Sequence, residues 1–480
     1  MKFNIRKKLV TLAVASAVSG GTMMMAAPAA AMNVSQNGVG QVLLFPYYTV
    51  KNGFDTVFSV VNTSDKTAVF KIRFREALNS REVRDFNVVL SPYDVWNGAV
   101  TATANGALFR TFDKSCTSPR LPGMVSAADR AAVGSKGEID FTNTLFSGTN
   151  TDGAAQTMDR VKEGYFEVIL MGVSDLSFTS TSNVLEYNAK HVNGVPRDCA
   201  KVDNLFLDTA AMNLLMDPPE NILKGQVMYL NTANGTAIDA KATALENFQT
   251  ANSMVYPPSD LRPDLRDGDV DADYYFLNNG VPGGGTVVGS SVNAVGALLS
   301  ATSLINEFAT GGVANTSWVV TFPTKHHYVD GVGPISPFSE RFDTTDVLAG
   351  PLGTVGKSCD DIKVSMYNRE EATEEEVGNT QFSPAPAAGT LPSLCYEANV
   401  VDFNSSSVFG VGTNRLSMDT SAVGGAGWAQ LKFAEGIQTV AGLPVIGFAA
   451  QVRTSGDLTA NYGSAIEHAI TREQILGLTP

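Results

Sequence analysis

The sequence has little charge, few cysteines and no long apolar run beyond its first 31 residues. Lys, Arg, Asp and Glu make up only 17% of 480 residues, while 44% are hydrophobic. That balance excludes wholesale disorder, which needs high charge and low hydrophobicity. It also excludes a long coiled coil, whose composition is dominated by Ala, Glu, Lys, Leu and Arg. No Lys/Arg block follows the leader, so the basic patch of a nucleic-acid binder is missing. The nearest approach to a membrane span, Gly283 to Phe308, contains Ser, Asn and Glu. Catalytic signatures are missing as well. There is no G-x-S-x-G and no H-E-x-x-H. Gly353–Ser358 imitates a phosphate loop, but Pro351 stands where its first glycine belongs, so the stretch reads as a turn.

What is present begins with an address. Lys2, Arg6, Lys7 and Lys8 precede the apolar run LVTLAVASAV, and Ala29-Ala30-Ala31 follows. A basic region, an apolar region and an A-x-A site make residues 1–31 a secretory signal peptide. Cleavage after Ala31 leaves 30 basic and 48 acidic residues, a net charge of −18. An acidic surface disfavours nucleic acid and anionic membrane as partners. The expected product is exported, on the cell surface or extracellular, or else periplasmic, with no spanning segment after cleavage.

The cysteines number four, Cys116, Cys199, Cys359 and Cys395. In an exported chain an even count favours disulfides. Of three possible pairings, Cys116–Cys199 and Cys359–Cys395 close the shortest loops and are expected. No closely spaced Cys/His set supports zinc.

Strand signals run along the chain. Phe70, Ile72 and Phe74 alternate with Lys71, Arg73 and Arg75, which predicts one buried and one wet face. Asn52-Gly53, Asn62–Asp65 and Ser91-Pro92 punctuate such runs, and Asn234-Gly235 reads as a hairpin turn. The expected fold is mainly β, an antiparallel β-sandwich of immunoglobulin-like or jelly-roll-like type, with long loops and a few short helices. Helices are predicted over 204–216, 291–308 and 466–476. No repeat of fixed period is visible, which argues against a solenoid or propeller. A polar, Pro-rich stretch, 257–273, reads as a linker or long surface loop. It divides the mature chain into an N-terminal sandwich region, 32–256, and a C-terminal β-rich region, 257–480, which completes the same sandwich or follows it.

Candidate site residues are few. Asp267, Asp269, Asp271 and Asp273 alternate in a loop and offer hard oxygens to Ca²⁺, the one cofactor the sequence suggests. Ala272 and the pair Leu277-Asn278 stand where an EF-hand needs Gly and Glu, so a solvated acidic loop is the competing reading. His326 and His327 lie in a strand-like run, which points them to opposite faces and argues against joint ligation. Glu370, Glu371 and Glu374–Glu376 read as a solvated acidic segment. Tyr47, Tyr48, Trp96, Trp318, Tyr328 and Trp428 are core packing or, alternatively, a sugar-stacking platform.

The runs Phe45–Thr49, Leu90–Trp96, Trp318–Lys325 and Gly442–Phe448 resemble a family of exported proteobacterial proteins described as cell-surface proteins. The resemblance spans most of the mature chain. It implies an envelope or surface location and assigns no active site. The expected function is therefore a non-enzymatic envelope or cell-surface protein that binds or assembles with other macromolecules, glycan among them. The alternatives are a secreted glycan-active enzyme on a β scaffold and a carbohydrate- or calcium-binding module.

Overall fold

The computed structural model describes residues 31–174, 184–278, 281–330, 335–342, 356–370, 373–376, 391–404, 407–433, 436–437, 440–454 and 461–472. Of the expected leader, 1–31, all but Ala31 lies outside them, as do residues 353–355 of the phosphate-loop-like stretch. The chain is mainly β, in sheets that are antiparallel but for the pair Ala398–Phe403 and Arg415–Met418, with few short helices.

Period-two segments form β1 (Val42–Thr49), β2 (Asp55–Asn62), β3 (Thr67–Glu76), β4 (Glu82–Leu90), β5 (Val95–Ala102) and β6 (Ala107–Thr111). They are followed by β7 (Cys116–Ser118), β8 (Gly137–Asp140), β9 (Glu163–Ser174), β10 (Leu223–Asn231), β11 (Thr236–Lys241) and β12 (Thr243–Glu246). One sheet runs β12-β1-β9-β3-β4-β7, with Asn33–Val34 on its edge, and the other β8-β6-β5-β2-β10-β11. Between them, Phe45, Phe58, Phe74, Trp96, Phe109 and Phe166 fill a sandwich core. Asn234-Gly235 makes the expected hairpin, with Gly235 at φ 64°.

A hairpin, β13 (Asp271–Asn278) and β14 (Val281–Val288), leads to a second set of strands. These are β15 (Ser303–Ala309), β16 (Ala314–Thr321), β17 (Asp360–Asn368), β18 (Thr373–Glu376) and β19 (Ala398–Phe403). After them come β20 (Arg415–Met418), β21 (Ala426–Phe433), β22 (Ile446–Thr454), β23 (Asn461–Glu467) and β24 (Ala469–Thr471). Their sheets run β18-β17-β21-β15-β24 and β20-β19-β16-β22-β23. Trp318, Phe308, Phe403 and Phe322 lie in the core between them.

Nine strands of the second sandwich repeat nine of the first. β12-β1-β9-β3-β4 corresponds to β24-β15-β21-β17-β18, and β5-β2-β10-β11 to β19-β16-β22-β23, all antiparallel and in the same chain order. Local chemistry agrees. Thr49 N–H donates to Thr56 Oγ1, which donates back to Thr49 O, both at 2.9 Å. Ala309 and Thr316 make the same pair of bonds, at 3.0 and 2.9 Å. Gly164 and Gly427 are counterparts, and a Cβ on either would lie 1.9 Å from a neighbouring carbonyl oxygen, of Arg75 or Tyr367. The step between counterparts drifts, from Thr49 to Ala309 but from Asn231 to Arg453. No fixed period therefore marks the duplication in the sequence.

Four sequence expectations are corrected. Lys71 and Arg73 are only 1% exposed, so the presumed wet face of β3 is buried. Residues 250–266 cover it: Lys71 Nζ donates to Pro257 O at 3.1 Å and Arg73 Nη1 to Pro263 O at 2.9 Å. Asp85, Glu82 and Glu167 supply the countercharges. The helix expected over 291–308 ends at Leu299, because 303–309 pairs with β21. Residues 461–471 are strands paired to β22 and β15 rather than a helix. The segment over 204–216 is broken into α1 (Cys199–Leu205) and a turn of helix over Thr209–Asn213, each capped by an aspartate. Both expected disulfides are present, and Cys116–Cys199 ties α1 to β7.

Candidate functional site

The sandwiches share a core: Val319, Val400, Phe409 and Phe448 of the second pack with Tyr47 and Tyr229 of the first. Beside this junction lies a cavity of about 430 Å³. Its walls come from the end of β3 (Arg75) and the β3–β4 connection (Asn79, Arg81), from Leu145 and Asn150, from the cover segment (Asp264, Arg266) and from a short helix, α2 (Lys325–Val329), bearing His326 and His327.

The histidine helix is anchored by what flanks it. Lys325, 1% exposed, donates to Asp360 Oδ2 and Ser358 O, both at 2.6 Å. Those residues flank Cys359, whose bond to Cys395 closes the same corner. Adjacent residues on a helix diverge by about 100°, not the 180° of a strand. That difference corrects the expectation that the two imidazoles point apart. Their ring centroids are 3.8 Å apart and both line the cavity.

Charge around the cavity is mostly paired. Arg75 binds Glu167 Oε1 at 3.1 Å. Arg266 clasps Asp264, with Nη2 to Oδ2 at 2.5 Å. Arg81 spans Asp152, at 3.5 Å, and Asp330, at 3.2 Å. Behind it, Arg160 bridges Glu76 at 2.6 Å and Asp152 at 2.5 Å, all three buried. Burial opposes ionisation of Asp264, but the hydrogen bonds from Arg266, aided by His327, hold it well below the usual carboxylate range. Burial pushes Asp330 up, against Arg81. It pushes Glu397 up strongly, against Lys325. Burial also drives both histidines down, His327 to about 3 against the pull of Asp264. At neutral pH the imidazoles are therefore uncharged, each with one donor and one acceptor nitrogen.

Several of these polar atoms are idle. His326 Nδ1 and Nε2, His327 Nε2, Asn79 Oδ1, Arg81 Nε and Glu397 Oε2 are buried without a hydrogen-bond partner among the described residues. His326 Nδ1 stands 3.7 Å from Glu397 Oε2, too far for a bond. Each orphaned buried group costs about 1–3 kcal/mol, so their concentration around one cavity calls for a function.

The aspartate candidates do not converge there. Asp267 Oδ2 accepts from Asp264 N–H at 2.8 Å. Asp269 Oδ2 accepts from Thr250 N–H at 3.0 Å and Thr250 Oγ1 at 2.6 Å. Asp271 and Asp273 lie in β13, astride buried Ala272. No group of three or more His, Cys, Asp or Glu side chains able to hold a metal is found among the described residues. Of the six aromatic candidates, five are buried and Trp428 is 39% exposed. Sequence reasoning missed Asn79, Arg81 and Asp330, which no motif marks; the doublet His326-His327, and Asp264 just upstream of the alternating aspartates, were the available signals. Among the described residues no helix is long and apolar enough to cross a membrane. Comparison with models of protein families, with curated proteins and with solved structures finds no match.

Proposed function

We propose that this chain is an exported envelope or cell-surface binding protein, whose recognition site is the cavity beside the junction of its two sandwiches. The observation that carries the reading is the set of buried polar atoms without hydrogen bonds on His326, His327 and Asn79 around that cavity, beside Arg81. They offer donors and acceptors together, with the nearby charges already paired. A ligand that fits is a small polar group, itself both donor and acceptor, carried by an envelope macromolecule. The cavity size falls within the range of ordinary small-ligand sites.

The test is a thermal-shift screen of polar envelope fragments against the wild type and His326→Phe, which fills the space. A ligand that binds only the folded state raises the melting temperature. The reading requires a shift that His326→Phe abolishes; a shift equal in both chains places binding elsewhere. Location is tested by protease shaving of intact host cells. Surface location requires loss of the chain on shaving, and protection with release in the periplasmic fraction overturns it.

One observation favours a second, enzymatic reading. Asp264 and Asp330 line the same cavity with their ionisations pushed in opposite directions, the pattern of a base and an acid. Turnover on a polysaccharide panel, abolished by Asp330→Asn, would establish it.

A further inference from the structure

The duplication pairs a covered face of the first sandwich with an open face of the second. On the first sandwich the ends of β1, β3, β9 and β10 carry the junction. Tyr47 packs on Phe409 with ring centroids 5.2 Å apart, and Tyr229 stacks on Phe448 at 5.5 Å. Tyr165 Oη donates to Pro323 O at 3.3 Å, and Ala398 N–H donates to Ala77 O at 3.0 Å. Strand register fixes the counterparts: Glu307 for Tyr47, Arg369 for Ala77, Trp428 for Tyr165, Gln451 for Tyr229 and Arg453 for Asn231.

All five counterparts line one pocket of about 340 Å³, and Glu307, Arg369, Trp428 and Arg453 are exposed there. The Glu307, Arg369, Gln451 and Arg453 side chains make no hydrogen bond or ion pair among the described residues. Trp428 is held upright by stacking on Tyr367, with centroids 4.2 Å apart and planes 12° apart.

The substitutions say what the face takes. Protein interfaces keep charge away from their centres. Here tyrosine and alanine at a working protein junction are replaced by glutamate, glutamine and arginine around a single indole. Nor does a second copy offer the matching surface. The docking residues Val319, Val400 and Phe448 have the polar counterparts Ser59, Asn97 and Gln226 on the first sandwich. A flat aromatic ring ringed by planar hydrogen-bonding groups suits a pyranose, whose C–H face packs on indole while its hydroxyls meet carboxylate, amide and guanidinium. Two free guanidiniums against one carboxylate leave the pocket net positive on a strongly acidic chain, which selects an acidic sugar.

We propose that the Trp428 pocket is a second binding site, separate from the histidine cavity, for a carboxylate-bearing sugar unit of a glycan. The ring stacks on Trp428, and Arg369 and Arg453 receive its carboxylate.

Calorimetric titration of the full chain with oligogalacturonate, oligoalginate and hyaluronan oligomers, beside neutral cello- and malto-oligomers, tests this. The expected result is binding of at least one acidic oligomer. Trp428→Ala and the exposed Arg453→Gln each weaken it tenfold or more, melting temperatures stay within 2 °C of wild type, and His326→Phe has no effect. Absence of binding to every acidic oligomer, or binding that both pocket variants leave unchanged, overturns the proposal. Equal affinity for neutral oligomers overturns the acidic selection. A dimer by light scattering that Trp428→Ala dissolves overturns the glycan in favour of a second copy.

Discussion

At the scale of residues, the chain concentrates buried charge beside its cavity and satisfies it in some places and not in others. Arg160 is the best satisfied, with Glu76 and Asp152 on either side of its guanidinium. Removing it leaves Glu76 buried without a cation and Asp152 with Arg81 alone, at 3.5 Å. Arg160→Met is expected to cost about 3–5 kcal/mol, read from the urea midpoint. His327 gives a pH signature. Unfolded, its pKa is near 6.5; folded, burial holds it to about 3. Below about 6.5 the unfolded chain takes up a proton that the folded chain refuses, so this contribution to stability is lost as pH falls towards 3. Its share of the slope is at most about 1.4 kcal/mol per pH unit. His327→Gln is expected to flatten the pH dependence of the urea midpoint between 6 and 4. An unchanged slope would show that the imidazole titrates freely when folded.

At the scale of elements, much was legible and the exceptions have physical causes. The runs containing Phe70, Ile72 and Phe74, the Asn234-Gly235 turn and both cysteine pairs follow from local pattern. The failures lie where distant segments decide. Residues 303–309 look helical because Leu304, Ile305 and Phe308 fit a helical spacing; β21 claims them as a strand instead. Lys71, Arg73 and Arg75 look solvent-facing, and only the cover segment, nearly two hundred residues on, turns them inward. The candidate site was less legible, since its walls come from four separated stretches and only the histidine doublet and Asp264 stood out. The duplication adds a test at this scale. Gly427 permits β17 and β21 to approach until a Cβ would sit 1.9 Å from Tyr367 O. Backbone, unlike a side-chain tip, cannot swing aside. Gly427→Ala is expected to cost at least about 1–3 kcal/mol by forcing the strands apart, measured by chemical denaturation. A neutral result would mean that the pair is looser than described.

At the scale of the whole molecule, residues 31–480 form one unit. The junction is part of the core: Val319, Val400 and Phe448 complete the packing around Tyr47 and Tyr229. Glu163 reaches across to Arg415 at 2.9 Å. Neither sandwich keeps its buried face without the other. Calorimetric unfolding is therefore expected to give one cooperative transition, with calorimetric and van't Hoff enthalpies in agreement; two resolved transitions would show that the halves fold independently. The same arrangement explains why a cavity lies there, since two closely packed sandwiches joined by polar loops leave a recess that neither fills.

The central claim is that this recess holds a polar ligand. Its most direct test is a high-resolution crystal structure of the chain with the strongest thermal-shift ligand bound. Connected density is expected in the cavity, within hydrogen-bond distance of His326, His327, Asn79 and Arg81. An empty or water-filled recess, with the ligand bound elsewhere, would contradict it.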